Sequence, residues 1–158
     1  MIKKINVYLD DVRTPTEGDW TVVRDYDEFV NLINFHGIEN IETISLDHDL
    51  GEGAMVEYYT NVKNNFTLDY NNIKEKTGYD CCKFLVNLSM SKNVILPQIY
   101  VHSANPIGSS NMMGYINNYL MNQGQPQTCV RVKIAHVIDE SHQISPEARK
   151  AKWDRSKK

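Results

Sequence analysis

Three short apolar runs in this chain each end on polar side chains. Val7-Tyr8-Leu9 runs into Asp10-Asp11, Ile44-Ser45-Leu46 into Asp47-His48-Asp49, and Ile99-Tyr100-Val101 into His102-Ser103. Open α/β sheets build sites this way, because the loops at the sheet's carboxyl edge converge there. The pattern favours folds in which the three strands run parallel and deliver their last residues to one edge. It predicts a single site lined by Asp10, Asp11, Asp47, Asp49 and His102.

The intervening sequence supports that arrangement. Residues 3–9 read as a first strand, Trp20–Val23 as a second, Glu42–Leu46 as a third and Gln98–Val101 as a fourth. The alternation across Thr128–Val137 predicts a fifth strand at a sheet edge. Asp25 is a suitable N-cap for a helix from Tyr26 to about Phe35, which Gly37 stops. A second helix is expected from Tyr79 to Met90, and a third from a Ser109 or Ser110 cap to Met121. Pro15 bars an immediate helix after the first strand, so the first crossover is read as a loop. Strands alternating with helices imply a mostly parallel sheet with helices on both faces.

Two stretches stand apart. Residues 51–76 carry Tyr58, Tyr59, Phe66 and Tyr70 without sustained periodicity, and a loop that long inside a domain needs order or a purpose. It is read as a helix-plus-hairpin insertion, or as a flap over the site from which it leaves. From Ser145 the chain reads as an exposed basic helix with Pro146 at its first position. Its Arg149, Lys150, Lys152, Arg155, Lys157 and Lys158 form a solvated end or an anion-contacting tail. The expected organisation is one domain over residues 1–140, with 51–76 inserted, followed by a tail over 141–158.

Composition narrows the function classes. A chain of 158 residues with 41% hydrophobic side chains fits one globular domain, and a net charge of -3 gives no global attraction to nucleic acid or membrane. Its three cysteines, Cys81, Cys82 and Cys129, have no CxxC spacing and cannot pair evenly, which suits a reducing, cytoplasmic compartment. The apolar run at the N-terminus is too short for a signal peptide or a membrane span.

The acidic strand ends carry the chemistry. Neighbouring strands lie roughly 4.8 Å apart, so Asp10 or Asp11 and Asp47 are expected within several ångström of one another. At an effective dielectric near 20, two charges about 6 Å apart repel by roughly 3 kcal/mol. Magnesium or another divalent cation relieves that repulsion with oxygen ligands; Asp10, Asp11, Asp47 and Asp49 are the candidate ligands. The plainer reading makes them turn and cap residues. In an extended segment Asp47 and Asp49 share a side and His48 points elsewhere. His102 ends a strand where a phosphate would rest and suits proton transfer. Ser103 and Asn105 add donors, Gly108 and Ser109 open a helix whose N–H groups suit an anion, and Arg13 follows the acidic pair. No Walker motif, GxGxxG or HExxH is present. Asp47-His48-Asp49 lies on the third strand and is followed by Leu50-Gly51, unlike the DxD of haloacid-dehalogenase-type phosphatases.

Taken together, LDDVRTP at 9–15, SLDHDLG at 45–51, TGYD at 77–80 and VHSANPIGSSNM at 101–112 resemble the cyclic-phosphate-processing receiver-like family over roughly residues 3–122. The resemblance implies a receiver-like (flavodoxin-like) three-layer α/β sandwich with a five-stranded sheet in the order 2-1-3-4-5 and an insertion after strand three. It implies that Asp10 and Asp11 match the receivers' metal-binding acidic pair, Asp47 their phosphoacceptor, and His102-Ser103 their Ser or Thr at the end of strand four. The lysine that receivers carry at the end of strand five has no secure match; Lys133 lies inside the expected strand and His136 nearer its end.

The expectation is a magnesium-dependent phosphoesterase acting on a cyclic-phosphate nucleotide or RNA end, with Asp47 and His102 catalytic and Arg13, His48, Ser103, Asn105, Gly108 and Ser109 on the substrate. One alternative is a non-catalytic module that binds a nucleotide messenger or a host protein, as a viral (phage) counter-defence protein would. Another is a stand-alone receiver phosphorylated on Asp47.

Overall fold

The computed structural model describes residues 3–133 and 137–139. In chain order the elements are β1 (Ile5–Leu9), β2 (Arg13–Pro15), β3 (Trp20–Val23), α1 (Tyr26–His36), β4 (Ile41–Leu46), α2 (Glu52–Glu57), α3 (Lys63–Asn65), α4 (Gly78–Lys92), β5 (Gln98–Val101), α5 (Pro106–Asn122), β6 (Val130–Arg131) and β7 (Val137–Asp139). Five strands form a sheet in the order β3-β1-β4-β5-β6, parallel throughout. With β2 set aside this is the expected 2-1-3-4-5 order, and the fold is the receiver-like α/β fold.

Register explains why the acidic residues meet. Leu9 is level with Val23 on one side and Leu46 on the other, and Leu46 is level with Val101, which is level with Arg131. The next residue of each strand therefore falls on one line. The backbone bonds continue that far: Asp10 N–H donates to the Val23 carbonyl at 3.1 Å, Asp47 N–H to Leu9 at 2.9 Å and His102 N–H to Leu46 at 3.0 Å. Arg24, Asp10, Asp47 and His102 are thus neighbours along the carboxyl edge although distant in sequence.

One sheet face carries the core. Val7, Leu9, Ile44, Leu46, Ile99 and Val101 pack there against Phe29 and Ile33 of α1, Cys82 and Leu85 of α4, and Met112 and Ile116 of α5. Each such side chain, taken from water, contributes about 1.5–3 kcal/mol. The helices start where their caps dictate: Asp25 accepts from Glu28 N–H, and Thr77 and Asp80 form a reciprocal capping box on α4. All three cysteines are buried and unpaired. Burial pushes their thiols up, Cys129 to about 12, so they act as inert core groups.

Four expectations change. The third long helix begins at Pro106 and is capped by Asn105; Ser109 sits inside its first turns. The alternating Thr128–Val137 stretch serves two sheets: β6 ends at Arg131, and β7 pairs antiparallel with β2, so the loop after β1 is partly a strand. The 51–76 insertion holds α2, a π-helical turn at Tyr58–Val62, α3 and a 3-10 turn at Tyr70–Asn72, with no hairpin. Its organiser is buried Glu57, whose carboxylate accepts from Asp69 N–H at 2.9 Å, Asn61 Nδ2 at 2.6 Å and Asn72 Nδ2 at 3.0 Å. The expected basic tail helix and His136 lie outside the described residues. Among the described residues no helix is long and apolar enough to cross a membrane.

Candidate metal centre

Asp10, Asp11 and Asp47 are all buried, and one carboxylate oxygen from each lies within 4.8 Å of the other two. At that spacing each ionised pair repels by about 3 kcal/mol at an effective dielectric near 20. Burial, then the charges of Asp10, Asp11 and Asp49, push the Asp47 carboxyl well above the usual range, and Arg13 opposes them. Three hard oxygen donors within 4.8 Å of one another suit a divalent cation, and the triad could hold one.

The loop after β1 is built to aim Asp10. Its Oδ1 accepts from Val12 N–H at 3.0 Å and Arg13 N–H at 2.7 Å, the side-chain-to-backbone turn that aspartate favours. Oδ2 faces His102 Nε2 at 3.1 Å and Arg13 Nη1 at 3.5 Å. Arg24, the residue after β3, clamps the loop from outside: Nη1 donates to the Asp10 and Arg13 carbonyls at 3.1 and 2.6 Å, and Nη2 to Thr14 Oγ1 at 2.5 Å. Arg24 was absent from the expected site, although its position at a strand's carboxyl end was a clue. Arg24→Ala frees this loop and is expected to weaken divalent-cation binding about 10- to 100-fold, as measured by calorimetric titration.

His102 is committed on both sides. It is 1% exposed, Nδ1 lies 2.7 Å from Ser45 Oγ, and its ring stacks on Tyr8 with centroids 4.2 Å apart. A carboxylate on Nε2 requires the proton there, so Ser45 donates to Nδ1. Burial lowers the His102 pKa while the bond to Asp10 opposes the shift, in keeping with a neutral ring. The expected proton shuttle is therefore a buried ring that donates to Asp10.

His48, also fully buried, turns to Asp49 and to the insertion. Its Nδ1 lies 2.6 Å from Asp49 Oδ1 and its Nε2 2.9 Å from Tyr70 OH. The carboxylate fixes the proton on Nδ1, so Tyr70 donates to Nε2. Tyr70 itself accepts from Asn111 Nδ2 at 3.1 Å and stacks on Tyr79, centroids 5.1 Å apart. Burial pushes its hydroxyl up to about 12, which keeps it a donor. The insertion thus folds back onto His48 and α5 through Tyr70. Tyr70→Phe strands His48 Nε2 without a donor and is expected to cost about 1–3 kcal/mol of stability, checked by urea denaturation.

The remaining expected residues divide. Asp49 stands outside the carboxylate triad: β4 ends at Leu46, strand alternation lapses, and its carboxylate turns to His48 and to Asn105 Nδ2 at 3.2 Å. Asn105 Oδ1 already accepts the Gly108 N–H at 2.9 Å, so that N–H is committed as a helix cap. Ser103 Oγ accepts from Asn105 N–H at 3.0 Å, and Ser109 Oγ donates to the Ser103 carbonyl at 3.3 Å. Arg131 Nε and Nη2 hold the same carbonyl at 3.2 and 2.9 Å. These groups fix the turn between β5 and α5. Gly108 leaves room for the His48 ring: a Cβ there would lie 2.6 Å from Cδ2 and 2.7 Å from Nδ1.

No curated protein and no solved structure matches the chain significantly. Residues 5–118 match the cyclic-phosphate processing receiver domain, a stretch that covers most of the chain and the whole acidic triad, and the chain therefore belongs to that family.

Proposed function

We propose that this chain is a divalent-metal-dependent phosphoesterase that opens a cyclic phosphate on a nucleotide or an RNA end. The buried triad of Asp10, Asp11 and Asp47 carries the reading, because three carboxylates so close have a physical reason to gather if they share a cation. Magnesium held there would supply Lewis-acid stabilisation of charge developing on phosphoryl oxygens. The chain's own groups do the rest. His102 and Arg24 hold Asp10 and its loop in place, and Arg13, beside the triad, offers positive charge to the phosphate. In the hydrolysis, a water oxygen bonds to phosphorus, one ring P–O bond breaks, and the departing oxygen takes a proton to leave a phosphomonoester.

A binding module without turnover is the second reading. One observation favours it: both ring nitrogens of His48 and of His102 are bonded within the protein. Incubation with 2′,3′-cyclic nucleotides, cyclic dinucleotides and RNA ending in a cyclic phosphate, in magnesium and then in EDTA, separates the two. The proposal expects metal-dependent product that Asp47→Asn abolishes; binding without product supports the second reading. Acetyl-phosphate labelling of Asp47 would instead mark a stand-alone phosphorylatable receiver.

A further inference from the structure

The two faces of the central sheet differ in kind. Residues level on the core face are aliphatic, whereas Tyr8, Ser45 and Tyr100 form one row across the opposite face and Trp20, Asn6 and Thr43 the next. That face lines a cavity of about 440 Å³ bounded by Asn6, Tyr8, Trp20, Thr43, Tyr100 and Lys133, within the size range of small-molecule sites. Its shape follows from the strand order. Tyr8 and Tyr100 lie two strand spacings apart, roughly 10 Å, with the short side chains of Thr43 and Ser45 on the floor between them. Trp20 closes the Tyr8 side, its ring edge-on to Tyr8 with centroids 5.5 Å apart.

A floor of small polar groups between aromatic walls accepts a flat ring. The hydroxyls of Tyr8, Thr43 and Tyr100 have no hydrogen-bond partner among the described residues, so polar ring edges would find donors and acceptors there. One further fact joins the cavity to the carboxyl edge: His102 lines it while reaching Asp10 with Nε2. Lys133 supplies a cation at the rim.

We propose that this cavity is a nucleobase subsite, with the base stacked against Tyr100 over Thr43, and Lys133 placed to meet an anionic group on the same ligand. This deepens the phosphoesterase reading and rests on it only for the identity of the phosphate; base binding itself needs neither metal nor the acidic triad.

The test is calorimetric titration of the full chain with adenosine, guanosine, cytidine and uridine in EDTA, then with the matching 5′-monophosphates. At least one nucleoside is expected to bind, about tenfold or more weakly in Tyr100→Ala, and with the same affinity when magnesium replaces EDTA. The 5′-phosphate should tighten binding, and Lys133→Ala should remove that increment alone. Thr43→Val, nearly isosteric, decides the matter if Tyr100→Ala does not fold, since it should weaken the nucleoside while leaving the melting temperature in place. No nucleoside binding, binding that requires magnesium, or full affinity in a folded Tyr100→Ala or Thr43→Val would overturn the proposal. Nucleoside binding with no turnover of any cyclic phosphate would leave the subsite standing and sink the phosphoesterase reading alone.

Discussion

Gly78→Ala is expected to destabilise the protein by about 3 kcal/mol or more, the upper range for overpacking at a site that cannot yield. A Cβ at position 78 would fall far inside the contact distance of the Asp47 carbonyl oxygen and lie 2.8 Å from Met112 Cε. The methionine can move; the carbonyl cannot, because it belongs to the residue that continues β4 and whose N–H is bonded to Leu9. Nor can the helix retreat cheaply. Gly78 N–H donates to the His48 carbonyl at 2.9 Å, and the Thr77–Asp80 box pins the first turn of α4. The substitution therefore trades a clash against a broken junction between α4 and the acidic edge. Urea denaturation should show a lowered midpoint with an unchanged slope; a shift under about 0.5 kcal/mol would mean that α4 is not seated on Asp47 as described.

Asp47→Asn is expected to invert the response of the protein to metal. In EDTA the native Asp47 carboxyl keeps its proton to a higher pH than it does in the unfolded chain, because burial and the neighbouring carboxylates disfavour its charge. The native state then binds more protons than the unfolded state, so stability falls as pH rises. The loss begins above the unfolded carboxyl value, near 4, and continues until the native group ionises. Removing the charge removes the loss. In EDTA the variant should be the more stable protein at pH 7, by an amount set by the roughly 3 kcal/mol repulsion of each carboxylate pair, and its melting temperature should vary less with pH. In magnesium the order should reverse, since asparagine replaces an anionic ligand, and any turnover should fall by more than about 100-fold. A variant less stable than the parent in EDTA at every pH would show that Asp47 is held by compensating partners rather than strained by its neighbours.

The carboxyl edge was legible because it rests on the most local of signals, an apolar run ending in aspartate. Three repetitions of that signal, with helix patterns between them, left little choice but a parallel sheet. What escaped follows from geometry that sequence spacing does not encode. Asp49 was assigned to the metal by strand alternation, yet the strand ends at Leu46 and the chain turns. Thr128–Val137 alternates except at the apolar pairs Cys129-Val130 and Ile134-Ala135, and neither pair by itself announces that β6 stops at Arg131 and β7 joins a different sheet. The insertion has no single period because it is held by a buried carboxylate, Glu57, and by one tyrosine reaching His48, contacts across 12 and 22 residues. Arg24 was visible at the end of its strand, but a lone arginine after an edge strand becomes informative only once Asp10 is known to lie beside it. His102 was placed correctly on the edge while its surroundings were not readable: the Ser45 hydroxyl and the Tyr8 ring reach it from strands 57 and 94 residues earlier in the chain.

The central claim is that Asp10, Asp11 and Asp47 gather around a shared cation, and calorimetric titration of the EDTA-treated protein with magnesium tests it most directly. The account predicts saturable binding of one ion per chain, weakened at least about tenfold in Asp10→Asn and again in Asp47→Asn, with both variants folded. Absence of binding in the parent protein, or undiminished affinity in both folded variants, would contradict it.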